Sequence, residues 1–382
     1  MPNILFLTHW YPTPEMPIYG TFIREHARAV ARYHPVTLIH VQGVDSSLSG
    51  TYQFNRQENG NLTEIHMKYR KHSFPRMTWL RRFRGVDQIV KELNESGHKP
   101  DVIHANIFSS SDLAAFLSYR YKIPAVLSEN ATNYPRRQFG RLQAIKVRFC
   151  NNRLARILPV SEDLARHMQA FGIRTRCQIV PNVVDTSCFY PTQIGVRPDR
   201  AKPRILVVAR LDPVKGVGDF LAALDLLSSR GKDFTAGLVG YGSERQKLEN
   251  LVHQLNLEDR VTFYGTKSRE EVAELLRQAD LLALTSYWEN LPVVILEALA
   301  SGLPVVASSV GGVAEVVKPE LGVLTEPGNV ESIASGLTTV MENLDDYDNQ
   351  AIARYAQSHF SYEAVGRQFS QIYGEVIKEY ES

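Results

Sequence analysis

Thr285-Ser-Tyr-Trp-Glu-Asn-Leu-Pro-Val-Val-Ile-Leu-Glu-Ala-Leu-Ala-Ser-Gly-Leu-Pro-Val-Val-Ala-Ser308 is the most informative stretch of this 382-residue chain. Its two carboxylates, Glu289 and Glu297, stand eight positions apart. Between them Asn290, Leu291, Pro292 and Val293 read as a loop turning into a helix. Proline suits the first helical position, where its missing N–H is not needed. The free N–H groups of a first turn form an anion site. One carboxylate then precedes the anion site and the other lies on the helix behind it. That order fits a ligand with phosphate at its middle and hydroxyl-rich ends, such as a nucleotide sugar.

Outward from this stretch, apolar runs alternate with helical patterns. Ile4–Leu7, Val36–Val41, Val102–Ala105, Ala125–Ser128 and Ile157–Val160 read as buried parallel strands. Thr21–Tyr33 carries apolar residues at helical spacing. The plan restarts at Ile205–Ala209, with a helix over Phe220–Leu227 and strands near Ala236–Gly240, Val261–Tyr264, Leu281–Thr285 and Pro304–Ala307. Strands alternating with helices predict an α/β fold with two Rossmann-like, doubly wound domains facing across a cleft. The expected boundaries are 1–190 for the first domain, 191–203 for a polar linker and 204–361 for the second. A C-terminal helix over 362–382 is expected to pack back on the first. Ligands of such sheets bind beyond the C-terminal ends of the strands.

Composition is that of a globular protein, at 44% hydrophobic and 22% charged residues. No apolar run approaches the roughly 20 residues needed to span a bilayer, and Ile4–Leu7 is too short for a secretory signal. The three cysteines, Cys150, Cys177 and Cys188, are odd in number and lack metal-ligand spacing, which fits a reducing cytoplasm. Charge is unevenly spread. Up to Tyr190 there are 25 Lys/Arg against 14 Asp/Glu, and beyond it 18 against 27. The basic half points either to solvated helix faces or to an anionic surface such as lipid. Nucleic acid is not an expected partner, and oligomeric state is not legible.

Gly20-Thr-Phe-Ile-Arg-Glu-His-Ala-Arg-Ala29, Val207-Val-Ala-Arg-Leu-Asp-Pro-Val-Lys-Gly216, Val239-Gly-Tyr-Gly-Ser-Glu244 and the opening stretch together carry a family resemblance. The chain resembles retaining GT-B-fold glycosyltransferases, most closely family 4 (glycosyl transferases group 1). The resemblance implies that the second domain holds a nucleotide-diphosphate sugar, UDP-linked in most relatives. Arg210 and Lys215 would contact the diphosphate, as fixed cations must where no metal stabilises a leaving phosphate. Glu297 would bind the ribose and Glu289 the transferred sugar. Gly240 and Gly242 would line the donor site. Arg245 stands where a dinucleotide motif needs its third glycine, so a nicotinamide site is not expected.

The first domain would present the acceptor hydroxyl of a glycan or lipid-linked molecule. Gly20 opens its first helix, where glycine permits close approach to a ligand. The family often has a histidine after the fourth of these strands; here Asn130 occupies that place, and Asn cannot titrate. Glu129 beside it is an alternative sugar contact or base. His104 reads equally as a ligand contact or a satisfied core histidine. Asp346-Tyr347-Asp348, the one Asp-x-Asp, lies in an acidic helical stretch and reads as a solvated face, so no metal and no cofactor are expected. The implied activity is metal-independent transfer of a hexose or N-acetylhexosamine with retention, in surface polysaccharide or glycolipid assembly. A GT-B nucleotide-sugar epimerase and a donor-binding homologue with little transfer stay open. The expected location is cytoplasmic, with peripheral contact to anionic membrane open.

Overall fold

The structure is a computed structural model that describes residues 1–16, 19–45, 48–192 and 202–382. It divides into two compact units, Met1–Val183 with Tyr362–Ser382, and Val184–Ser361. Most of the stretch read as a linker lies outside the described residues.

The first unit contains β1 (Ile4–Thr8), α1 (Thr21–Ala31), β2 (Val36–Val44), β3 (Tyr52–Asn59), β4 (Leu62–Arg70), α2 (Pro75–Glu95) and β5 (Val102–Asn106). It continues through α3 (Ser111–Tyr121), β6 (Ala125–Glu129), α4 (Arg141–Asn151), β7 (Arg156–Pro159) and α5 (Glu162–Phe171). Its sheet has the order β3-β4-β2-β1-β5-β6-β7, parallel except for β3. The central strands β1, β5 and β6 are buried along their whole length, as parallel strands covered on both faces must be. The β3–β4 hairpin, absent from the sequence reading, turns at Gly60, whose φ of 58° suits the first central position of a two-residue hairpin loop.

The second unit contains β8 (Arg204–Val208), α6 (Val217–Ser229), β9 (Thr235–Val239), α7 (Arg245–Gln254), β10 (Val261–Gly265), α8 (Arg269–Gln278) and β11 (Leu281–Leu284). After these come α9 (Val293–Ala300), β12 (Val305–Ser308), α10 (Val313–Val316), β13 (Gly322–Thr325), α11 (Val330–Glu342) and α12 (Asn349–Phe360). Its parallel sheet has the order β10-β9-β8-β11-β12-β13. Counted from β8 this is 3-2-1-4-5-6, the dinucleotide-fold order, whose topological switch lies between β8 and β11. The core is built from Phe220, Leu224 and Leu227 of α6, Leu337 and Val340 of α11, and strand residues such as Val207 and Leu238.

The last helix, α13 (Tyr362–Glu381), belongs to the first unit. Val365, Phe369, Ile372, Tyr373 and Val376 form one apolar stripe at helical spacing and are buried against α1 and the sheet. Gly366 lets the two helices meet, since a Cβ there would lie 2.4 Å from the Ala29 carbonyl oxygen. Near the other end of α13, the carboxylate of Glu379 grips the wholly buried guanidinium of Arg156 at 2.7 and 2.8 Å.

Candidate functional site

In the second unit the loops leaving β8 and β11 carry Arg210, Lys215 and Glu289, and α9 carries Glu297. After β8 the chain makes a short turn at Pro213–Lys215 and reverses at Gly216, which has φ 61°. A Cβ on Gly216 would stand 2.2 Å from the Thr285 carbonyl oxygen, so only glycine lets this loop lie against the end of β11. Two bonds tie the loops together: Thr285 Oγ1 donates to the Gly216 carbonyl at 3.0 Å, and Tyr287 N donates to the Val214 carbonyl at 2.9 Å.

This clamp brings Lys215 over Glu289. The Lys215 ammonium donates to Glu289 Oε1 at 2.6 Å, and Ser286 Oγ donates to the same oxygen at 2.7 Å. The lysine side chain is 23% exposed and the carboxylate 10%. Expected in separate roles, these two residues are joined by the fold as a half-buried ion pair. Arg210 pairs with Asp212 and is 63% exposed. Beside it a hollow of about 580 Å³ opens among the loops after β8, β9 and β10, lined by Arg210, Gly240, Gly242 and Thr266.

The two glycines of that hollow have an internal reason. A Cβ on Gly240 would fall 1.8 Å from the Ala209 carbonyl oxygen, and one on Gly242 would fall 2.3 Å from that of Leu211. They let the β9 loop lie directly on the β8 loop, where Leu211 N donates to the Tyr241 carbonyl at 2.7 Å. Their backbone lines the hollow, but contact between loops already requires glycine there. Arg245 lays its guanidinium over the Phe263 ring, 4.6 Å from its centroid.

Helix α9 begins one residue later than expected. Pro292 is its cap, with φ −71° and ψ 129°, and Val293 is the first helical residue. The extended ψ of Pro292 places it outside the helix, so Val293 and Val294 fill the first turn with N–H groups that lack intrahelical acceptors. Asn290 and Leu291 are buried. Gly312 N donates to the Asn290 carbonyl at 2.6 Å, and Gly311, with φ 49°, could carry no Cβ without meeting the Glu289 carbonyl at 2.1 Å. The β12 loop thus holds 289–292 from behind. Glu297 is half-buried and one helical turn beyond Val293, on the same helix face.

In the first unit the candidates are largely interior. Gly20 caps α1 with φ 71°, and a Cβ would lie 2.6 Å from the Trp10 carbonyl group, so the β1–α1 loop closes on itself there. His104 is fully buried. Its Nε2 bonds Ser128 Oγ at 2.7 Å, its Nδ1 bonds Tyr373 Oη at 2.5 Å, and its ring packs on Phe6. Burial holds its pKa well below the ordinary histidine value. It is a satisfied core histidine, so of its two readings the structure shows the core one and not the ligand contact. Glu129 is also fully buried. Its Oε1 accepts from the backbone N–H of Asn130 at 3.0 Å and of Ala131 at 2.8 Å, and burial raises its pKa to about 7. Such a carboxyl organises the end of β6 and is shielded from solvent in this structure. Asn130 is half-buried and aims its amide at Asn182 Oδ1, 3.5 Å away.

One cluster at these strand ends escaped the sequence reading. His9 follows β1 and bonds Ser110 Oγ through Nδ1 at 3.0 Å, while Arg82 donates to its Nε2 at 3.3 Å. Arg82 and Lys146 both pair with Asp112. Burial, then the neighbouring Arg82 charge, lowers the His9 pKa to about 3. Nothing in the spacing of positions 9, 82, 112 and 146 announces this meeting. Among the described residues no group of three His, Cys, Asp or Glu side chains could hold a metal ion. Asp348 caps α12, accepting from the N–H groups of Gln350 and Ala351.

Comparison with known proteins agrees with this geometry. Residues 195–359 match the family model described as Glycosyl transferases group 1, and residues 19–187 match the one described as Glycosyltransferase Family 4. An uncharacterized glycosyltransferase of Methanocaldococcus jannaschii is 36% identical over 151 residues, which is 39% of this chain and 38% of that protein. Among solved structures, sucrose-phosphate synthase from Thermosynechococcus elongatus superposes with a TM-score of 0.75 at 19% identity, over 99% of this chain and 100% of its own. Anabaena HepE in complex with UDP-glucose gives 0.73 at 20% identity, over 98% and 100%. One family model falls on each doubly wound unit, and the chain belongs to the GT-B glycosyltransferases of the group 1 and family 4 type.

Proposed function

We propose that this chain transfers a hexose or N-acetylhexosamine from a nucleotide-diphosphate sugar, with UDP as the favoured nucleotide, to an acceptor hydroxyl with retention of configuration. The observation that carries the reading is the Lys215–Glu289 pair at the switch point of the second unit's sheet, with Arg210 and the α9 N-terminus on neighbouring loops. UDP is favoured because the structurally similar Anabaena protein was solved with UDP-glucose.

The donor diphosphate takes Lys215 and Arg210 as its cations, and the first-turn N–H groups of α9 face it. As Lys215 turns to phosphate, Glu289 gives up its ammonium partner and accepts hydrogen bonds from hydroxyls of the transferred sugar. Glu297 accepts those of the ribose. When the glycosidic C–O bond breaks, its electron pair moves to the phosphate oxygen, where fixed cations stabilise the new charge. The leaving phosphate then accepts the proton of the acceptor hydroxyl, whose oxygen bonds the anomeric carbon from the face the phosphate has left. Retention follows, and neither a titrating group at Asn130 nor a metal ion is needed.

The acceptor is a glycan or lipid-linked molecule, met at the inner face of a membrane. Helix α4 supports that location. Leu142 (83% exposed), Ile145 and Phe149 project from it beside Arg141, Lys146 and Arg148, the pattern of a helix lying on an anionic surface. Among the described residues no helix is long and apolar enough to cross a membrane.

The test incubates the protein with UDP-glucose, UDP-galactose and UDP-N-acetylglucosamine, with and without membrane lipid extract. Transfer to lipid with retained configuration, unaffected by chelator, is expected. Conversion of donor that proceeds equally without acceptor overturns the reading. Sedimentation with vesicles containing anionic lipid at low salt, and not with neutral vesicles, is expected of the α4 face.

A further inference from the structure

The far edge of the first unit's sheet has a face that α1 covers at the Leu62 end of β4 and leaves open beyond it. On β4, Ile65, Met67 and Tyr69 are buried, and α2 packs on that side, where a Cβ on Gly85 would stand 2.6 Å from Met67 Sδ. The alternate residues Glu64, His66 and Lys68 point the other way and are half-buried. Register aligns them with polar neighbours on both sides. Gln57 stands opposite Glu64, Asn55 opposite His66 with His40 beyond it, and Gln53 opposite Lys68 with Gln42 beyond it. The loop after β1 walls this floor through Tyr11, whose hydroxyl donates to Glu64. The hollow so bounded is open on its β3 side and measures about 520 Å³, within the roughly 300–1,000 Å³ of small-molecule sites.

Its chemistry is that of a ligand rich in hydroxyls and poor in charge. The amides of Gln42, Gln53, Asn55 and Gln57 form no hydrogen bond with protein among the described residues. Each amide both donates and accepts, so each can hold a pair of adjacent hydroxyls. The His40 and His66 rings lie 3.2 Å apart through Nδ1, and burial keeps both pKa values below the ordinary histidine range. As neutral rings they too offer donor and acceptor nitrogens. The lining carries two cations, Lys68 and Arg24, and two carboxylates, Glu64 and Glu15. Neighbouring strands stand about 4.8 Å apart and alternate residues along a strand about 7 Å, a grid on the scale of a pyranose ring.

We propose that this hollow is a carbohydrate-binding site for a neutral sugar residue of a glycan, separate from the nucleotide-sugar pocket of the second unit. It rests on the transferase reading in one respect: an acceptor glycan would supply that sugar.

The full chain, fluorescently labelled, is applied to an array of neutral and acidic oligosaccharides, and calorimetry measures UDP-glucose affinity in parallel. Binding to a subset of neutral glycans is expected. Asn55→Ala with Gln57→Ala should lower it by about tenfold, the loss of two hydrogen-bonding groups, and Asn55→Trp should block the floor. These positions lie on the exposed edge strand, and UDP-glucose affinity should be unchanged in both variants. Absence of neutral-glycan binding, binding to acidic glycans alone, or unchanged binding in both variants overturns the site. Failure of UDP-glucose binding in the wild type would instead count against the transferase reading.

Discussion

The two units share a βα plan yet treat the ends of their strands differently. In the second unit the strand-end loops hold charged side chains near water: Lys215 with Glu289, and Arg210 with Asp212. In the first unit the ends of β5 and β6 hold buried groups, His104 between Tyr373 and Ser128 and Glu129 closed over backbone N–H groups, while Arg82, Asp112 and Lys146 form an ion-paired cluster beside His9. Nine of the eleven histidines fall in the first unit's sequence before Val184. The difference teaches that one architecture can place chemistry at its strand ends or use the same positions to fasten itself.

The comparison breaks most directly at Lys215. If the second unit's charges do chemistry, Lys215→Ala lowers kcat at least about a hundredfold, the order of losing one electrostatic donor. Near-normal kcat in steady-state assays would remove the assignment. Glu129 tests the opposite side. Its pKa is raised from 4.5 to about 7 by burial, so the folded state holds its proton more tightly than the unfolded chain. Its stabilisation is full below about pH 4.5, declines as pH rises, and is gone above about pH 7, a change of about 3 kcal/mol. Urea denaturation of wild type and Glu129→Gln across this range should show their stability difference falling with pH. A flat difference would mean that Glu129 is solvated.

Two smaller effects sharpen the contrast. Gly366→Val pushes a side chain into the Ala29 carbonyl and should destabilise the first unit by about 2 kcal/mol, as overpacking does. Unchanged thermal unfolding would show that α13 is loosely held. Glu297→Ala should weaken donor affinity by about tenfold, the loss of one or two hydrogen bonds to a charged acceptor, while kcat at saturating donor changes little. Equal donor affinity by calorimetry would exclude its contact with the ribose.

Much of the fold was legible because parallel strands buried on both faces are continuous apolar runs, as Ile4–Leu7 and Ala125–Ser128 were. The β3–β4 hairpin was not, because Tyr52–Asn59 is an exposed edge of Gln, Asn, Arg and Glu with little apolar signal. The short β13 (Gly322–Thr325) likewise offers too few residues for a period to show. In the site, the residue types and loops were readable around Lys215, Glu289 and Glu297. His104 stayed open between two readings for a simple reason: a strand buried on both faces gives no sign of which side chains meet the ligand end and which meet another helix.

The sequence alone therefore determined the alternation of strands and helices, the glycine-bearing loops and the start of α9, give or take one residue at Pro292. These depend on patterns within a few positions along the chain. Tertiary structure decided which charges pair and which titratable groups lose their water. Lys215 meets Glu289 across 74 positions and His104 meets Tyr373 across 269. Desolvation and ion pairing are set by what packs around a side chain, and only the folded chain brings such distant neighbours together.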